Sequence, residues 1–282
     1  MKEFYSGKGY DLAALIKDGD PKQLNLTEYT QPALLASSVA LWRVWIARGG
    51  ATPVAMAGHS LGEFSALCCA GALKLSDAVS LVRQRGRFMQ TAVPVGDGSM
   101  AAILGLDDET VTATCEQVSG RDIGVVQAVN FNAPGQVVIA GNCAAVDAAI
   151  ASLKDAGAKR ALELPVSAPF HTSLMQPAGE KLAEVLAGIT ISVPEIPVVH
   201  NVHAQTESSP QRIRELLVQQ ISAPVRWTAC ILSLQAMGAL QFAECGAGSV
   251  LGGLLRRIDR GLACAYLEKP EDLLSALGTL GA

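Results

Sequence analysis

The sequence predicts an α/β protein in which a parallel-sheet core carries an inserted α+β unit, and three observations lead there. An apolar run, Pro53-Val-Ala-Met-Ala57, passes through Gly58-His-Ser-Leu-Gly62 into a helix-like stretch of small and apolar residues. From about 97 to 166 the pattern reads strand, helix, two strands, helix, strand, with the central hairpin turning at Asn132-Ala-Pro-Gly135. After that unit the chain returns to strands near 196–202 and 239–244 and helices near 173–187, 210–220 and 249–259. At 282 residues there is room for one large unit, 1–96 with 167–282, and a smaller inserted one, 97–166.

The elements follow in order. Leu34, Leu35, Val39, Leu41, Trp42, Trp45 and Ile46 recur at helical spacing, so a helix is expected over 32–48, opened by Pro32 and closed by Gly49-Gly50. The next run, 53–57, is continuously apolar, as for a parallel strand buried on both faces. The G-x-S-x-G spacing behind it has two readings. In a strand-turn-helix elbow, Ser60 takes a strained backbone conformation, and Gly58 and Gly62 let the chain approach itself closely enough to present Oγ at the sheet edge. That arrangement would make the core hydrolase-like. Alternatively Ser60 is an ordinary helix N-cap, which explains Gly58 and Ser60 but leaves Gly62 a poor choice in a first turn. In the following helix the apolar face runs through 78, 81, 82, 88 and 89, and Arg85 falls on it while Arg83 and Arg87 suit a solvated basic face. A buried guanidinium needs a carboxylate, either the protein's own or a substrate's. The inserted unit reads as strand 99–104, helix 108–118, two strands flanking the hairpin turn, helix 144–156 and strand 159–164, a ferredoxin-like order.

Composition narrows the function classes. Half of the residues are hydrophobic and 17% are charged, yet the longest uncharged stretches, 123–146 and 227–243, are broken by Asn, Gln, Gly or Pro and do not read as membrane spans. A net charge of −4 argues against non-specific nucleic-acid binding. Seven cysteines without a C-x-x-C pair suggest neither a disulfide framework nor a zinc site, and a reducing cytoplasm is the expected home. The segment Met1-Lys-Glu-Phe-Tyr-Ser-Gly-Lys8 lacks the apolar core of a signal peptide.

A serine nucleophile needs a base, and there are four histidines. His59 adjoins Ser60, where neighbouring side chains diverge, so a structural role is expected. His200 and His203 stand three apart in a strand-like run and so face opposite ways, which argues against a metal pair and for edge or surface positions. His171 remains, in a Pro-rich turn leaving the inserted unit, where a loop could overhang the elbow. A hydrogen-bonded loop histidine is the alternative there.

Five segments taken together carry a resemblance. Gly58-His-Ser-Leu-Gly-Glu-Phe64, Arg83-Gln-Arg-Gly-Arg-Phe-Met89, Val129-Asn-Phe-Asn-Ala-Pro-Gly-Gln136, Pro165-Val-Ser-Ala-Pro-Phe-His171 and Phe242-Ala-Glu-Cys-Gly-Ala-Gly248 resemble the malonyl-CoA:acyl carrier protein transacylases of bacterial fatty-acid synthesis, in order and over nearly the whole chain. The resemblance implies that Ser60 accepts the acyl group, that His171 moves its proton, and that the Leu61 backbone N–H helps to hold the oxyanion. It implies that Arg85 binds the malonyl carboxylate and that the Gln220 backbone carbonyl orients His171 in place of an aspartate, giving a Ser-His dyad. Phe170 matches a bulky position that restricts branched acyl groups, and Gln31 and Asn130 match polar positions lining the family's cleft, where a purely structural role is the alternative. The implied substrates are malonyl-CoA and phosphopantetheinyl acyl carrier protein, with no metal or other cofactor, no nucleic acid, no membrane, and a monomeric enzyme.

Two departures accompany the resemblance. The family begins with an apolar strand and a Gly-Gln-Gly-Ser-Gln loop whose glutamine N–H is the second oxyanion donor; the sequence given starts at Met1-Lys-Glu-Phe-Tyr-Ser-Gly-Lys-Gly-Tyr10, which aligns with the end of the helical region that follows. As written it is therefore expected to acylate about 10² to 10³ more slowly than a chain carrying that donor. Ala247 stands where the family often has proline. Gly246, Gly248 and Gly252 also mimic a dinucleotide fingerprint, but the spacing is wrong and no acidic partner is placed. Two rival functions share part of the pattern. A serine thioesterase or esterase would keep Ser60 and His171 without needing Arg85, and a carrier-protein binder would keep the fold without turnover.

Overall fold

The computed structural model describes residues 11–166 and 168–280, so the reading of Met1–Tyr10 lies outside the described residues, as does Ser167. Asp11 and Asp20 open two short helices, α1 (Leu12–Asp18) and α2 (Pro21–Leu24), by accepting the N–H groups of Ala14 and Lys22 at 3.0 and 2.9 Å. The long helix α3 (Thr27–Ala47) begins five residues before the expected start and carries Pro32 inside it. Pro32 forfeits one bond, to the Glu28 carbonyl, and packing offsets that loss. Helix α5 (Leu75–Thr91) lies against the first turn of α3 so closely that a Cβ on Gly86 would stand 2.6 Å from the Thr27 carbonyl oxygen.

Between α3 and α5 come β1 (Met56–Ala57) and α4 (Leu61–Cys69). The strand is shorter and more open than expected: Met56 and Ala57 are half-buried and Val54 is exposed. Pro53 has no N–H for a ladder, and Met56 donates to the Pro197 carbonyl at 2.8 Å. Among the described residues β1 pairs only with β6 (Val198–Val199), in parallel, with Met56 opposite Val198. The strand expected over 196–202 is likewise cut to two residues, because the chain turns back at once and the Ala204 N–H bonds to the His200 carbonyl at 2.9 Å.

The inserted segment forms β2 (Gly98–Leu104), α6 (Asp108–Ser119), β3 (Val126–Ala133), β4 (Gln136–Asn142), α7 (Cys143–Asp155) and β5 (Arg160–Glu163). Its four strands are ordered β3-β4-β2-β5 and every pairing is antiparallel, the ferredoxin-like arrangement. Alternation decides the faces: Ala101 and Ile103 pack under α6 and α7, whereas Met100, Val129, Val138 and Ala140 cluster on the other face with Leu164 and Phe170. The unit is tied to the core where Val225 exchanges backbone bonds with Val129 and Phe131, at 2.8 and 3.0 Å.

A 3₁₀ turn (Ser173–Met175) leads into α8 (Gln176–Ala187); after β6 follow α9 (Pro210–Gln219), α10 (Trp227–Ala236), β7 (Phe242–Glu244), α11 (Val250–Ile258), β8 (Cys264–Tyr266) and α12 (Pro270–Leu280). The main core lies between α3, α4, α5, α8 and α9, and a second cluster joins β6 to α10 and α11. The glycines after β7 form no dinucleotide site. Glu244 already accepts the N–H groups of Leu251 and Gly252, at 3.0 and 2.8 Å, at the helix start where a phosphate would bind. Among the described residues no helix is long and apolar enough to cross a membrane.

Candidate active site

Ser60 links β1 to α4 with φ 50° and ψ −106°, a conformation that costs a non-glycine residue about 1–3 kcal/mol. Its side chain makes no capping bond to the helix, so the elbow reading holds and the N-cap reading fails. The close approach is one-sided, however. A Cβ on Gly58 would collide with the Gly62 backbone, whereas a Cβ on Gly62 would meet open space. Gly58 alone is required by self-approach.

Ser60 Oγ donates to His171 Nε2 at 2.8 Å, and His171 Nδ1–H donates to the Gln220 backbone carbonyl at 2.8 Å. Those two bonds set the tautomer: the nitrogen facing Ser60 is the proton acceptor. Gln220 caps the C-terminal end of α9, where a carbonyl lacks an intrahelical partner and carries the negative end of the helix dipole. That position supplies the orienting acceptor that an aspartate supplies elsewhere. His171 is 4% exposed, and burial, then the nearby Arg85 charge, push its pKa down to about 3, against the opposing hydrogen bond to Gln220. The imidazole is therefore neutral and ready to accept a proton at neutral pH.

Arg85 lies inside the protein, 2% exposed, as the helical periodicity predicts. Its guanidinium donates to Gln31 Oε1 at 2.8 Å, to Gln220 Oε1 at 2.9 Å and to Ser60 Oγ at 3.1 Å, and stacks over the Phe64 ring at 5.2 Å. None of these partners is a carboxylate. Burial lowers its pKa to about 10, partly countered by the Glu63 charge, so it stays protonated at neutral pH. Arg87 lies on the solvated face as expected, 3.7 Å from Glu28 on α3, whereas Arg83 is half-buried, 3.9 Å from the same Glu28 and over the Tyr29 ring.

The remaining expected residues fall at differing distances from this centre. Leu61 is the first residue of α4, so its N–H is among the helix-start donors with no intrahelical acceptor. Gln31 is buried and touches Arg85, with its own amide donating to Thr27 Oγ1 at 3.0 Å. Phe170 is half-buried and packs against both the main core and the outer face of the inserted sheet. Asn130 lies at a register irregularity in β3, and its Oδ1 is buried without a hydrogen-bond partner. His59 donates to Asn132 Oδ1 at 2.8 Å and lies against the Trp227 ring; burial lowers its pKa.

Sequence reasoning missed a second layer. His200, expected at an edge or surface, is fully buried and donates to Glu63 Oε1 at 2.7 Å. The tight turn after β6 carries its ring inward, onto the acid of the neighbouring helix α4. Asn201 beside it accepts the Ser60 N–H at 2.7 Å. A usable signal existed: Glu63 is the only charged residue in the apolar helix Leu61–Cys69.

A strained serine on a strand-to-helix elbow, a neutral histidine oriented by a helix-end carbonyl and a buried arginine beside the hydroxyl define a serine acyl-transfer enzyme of α/β class. The comparisons are specific: the chain belongs to the acyl transferase domain family, which matches residues 2–263. It is 53% identical over 269 residues to the malonyl CoA-acyl carrier protein transacylase of Salmonella typhimurium, covering 95% of this chain and 86% of that one. It superposes on the acyl-carrier-protein S-malonyltransferase of Burkholderia pseudomallei with TM-score 0.95 at 50% identity, over 98% of this chain and 90% of that one. A malonyl-transacylase in complex with its type II PKS acyl carrier protein gives TM-score 0.93 at 50% identity, over 96% and 87% of the two chains.

Proposed function

We propose that this protein transfers a malonyl group from coenzyme A to the phosphopantetheine thiol of an acyl carrier protein through a malonyl-Ser60 intermediate. The observation that carries the reading is the Arg85 guanidinium 3.1 Å from Ser60 Oγ. In malonyl-CoA one methylene separates the free carboxylate from the thioester carbonyl. A carboxylate paired with Arg85 therefore leaves the carbonyl carbon within reach of Oγ. A plain esterase has no use for a desolvated cation at that place.

Ser60 Oγ attacks the thioester carbonyl while His171 Nε2 takes the hydroxyl proton, and the Leu61 N–H at the positive end of α4 faces the developing oxyanion. Collapse breaks the C–S bond, and His171 returns the proton to the departing CoA sulfur. The carrier thiol then gives its proton to His171 and attacks the malonyl ester; Ser60 Oγ leaves and regains its proton. Every proton and bond in these steps is accounted for by Ser60, His171 and the two substrates, so the reading assigns no metal or further cofactor. Phe170 is assigned to limiting acyl size, and Gln31 and Gln220 to holding Arg85. Asn130, with its unpartnered buried carbonyl oxygen, is assigned to the cleft wall. The enzyme is read as a cytoplasmic monomer.

The test presents malonyl-CoA to the protein with holo carrier protein or with water alone. Malonyl-carrier formation far above hydrolysis is expected. Hydrolysis that equals or exceeds transfer would favour a thioesterase.

A further inference from the structure

Glu63 is completely buried on the first turn of α4, and the transfer chemistry above gives it no part. Its carboxylate accepts three hydrogen bonds: from His200 Nδ1–H at 2.7 Å, from the Asn201 N–H at 2.9 Å and from Gln220 Nε2 at 2.8 Å. Asn201 and Gln220 then take both backbone polar groups of the serine. The Ser60 N–H donates to Asn201 Oδ1 at 2.7 Å, and the Ser60 carbonyl accepts from Gln220 Nε2 at 3.0 Å.

Because Glu63 accepts all three bonds, it dictates which way the Gln220 carboxamide faces and anchors the Asn201 backbone. With Nε2 of Gln220 turned to Glu63 and to Ser60, its Oε1 is left facing Arg85, from which it accepts at 2.9 Å. A flipped amide would set oxygen against oxygen. At Asn201 Glu63 holds the backbone N–H, and the elbow itself sets the side chain: Nδ2 donates to the Gly58 carbonyl at 2.8 Å, leaving Oδ1 for the Ser60 N–H.

We propose that Glu63 is a positioning residue: from beneath the elbow it orients Asn201 and Gln220, which hold the Ser60 backbone in its strained conformation and aim Arg85 at Oγ. This rests on the reading of Ser60 as nucleophile. It assigns the effect to acceptor geometry and not to charge. A carboxamide at position 63 could keep its oxygen toward Asn201 and Gln220 while its NH₂ faces His200, whose ring accepts at Nδ1 when its proton sits on Nε2. An aspartate would keep the charge but withdraw the oxygens by one methylene.

The experiment measures the rate at which a fluorophosphonate labels Ser60, a reaction that involves no malonyl group, alongside KM and kcat for malonyl-CoA. Glu63→Ala and Glu63→Asp should label about 10²-fold more slowly than the parent, Glu63→Gln within about tenfold of it, and kcat should fall with KM little changed. If Glu63→Ala does not fold, the order of the other two decides. Glu63→Asp labelling as fast as or faster than Glu63→Gln would overturn the proposal. A parent protein that labels with the fluorophosphonate but is never malonylated would refute the malonyl reading instead, and leave this comparison intact.

Discussion

Replacing Arg85 by alanine separates acyl recognition from general reactivity. The guanidinium is buried, donates to Gln31, Gln220 and Ser60 Oγ, and has no carboxylate among these partners. A malonyl carboxylate would thus be the first counter-charge in direct contact with this buried guanidinium. Truncating one partner of such a desolvated pair costs about 2–5 kcal/mol, and the central value of about 3 kcal/mol is about 10²-fold in kcat/KM. Arg85→Ala also removes the bond to Ser60 Oγ and orphans the Gln31 and Gln220 oxygens. Those losses fall equally on an acyl group without a carboxylate. The assay is therefore the ratio of kcat/KM for malonyl-CoA to that for acetyl-CoA, in parent and variant. The ratio should fall by about 10²-fold. An unchanged ratio, with both rates reduced alike, would show that Arg85 only braces the site.

Two further outcomes follow from the same geometry. His171→Ala removes the base 2.8 Å from Ser60 Oγ, so single-turnover acylation should slow by about 10² to 10⁴ with malonyl-CoA affinity little changed; wild-type-like acylation would assign the proton to another group. Because His171 titrates at about 3 when folded and near 6.5 when unfolded, the unfolded chain binds the extra proton between those values, so stability falls as pH drops through that window. Denaturant melts should show a loss of about 2 kcal/mol between pH 7 and 5 that His171→Gln reduces, while acylation itself shows no midpoint near 6.5.

The placement of Ser60, His171 and Arg85 was partly legible in local pattern, and the resemblance decided what local pattern left open. Ser60 lies between glycines after an apolar run, Arg85 falls on the apolar stripe of a helix, and His171 is left when neighbouring positions are set aside. The ferredoxin-like unit was legible because β2, β3 and β4 run for seven or eight residues each and the strand and helix order is complete within one stretch of sequence. Short parallel pairing was not: β1 and β6 are two residues each, and an apolar run cannot reveal where a ladder ends. Nor was the Glu63 layer. Glu63 and His200 stand 137 positions apart and meet only because β1 and β6 pair in parallel, and nothing local to His200 says that the turn behind it carries its ring inward. Arg85 was expected to meet a carboxylate. Glu63 touches the same Gln220 amide, one hydrogen bond removed from the guanidinium.

The account stands on Ser60 as the residue that carries the acyl group, and mass analysis of the protein after brief exposure to malonyl-CoA tests that directly. One malonyl adduct per chain should appear, map to the peptide containing Ser60, vanish in Ser60→Ala, and leave the protein when holo acyl carrier protein is added. An adduct of equal yield in Ser60→Ala, or one that holo carrier protein cannot remove, would contradict it.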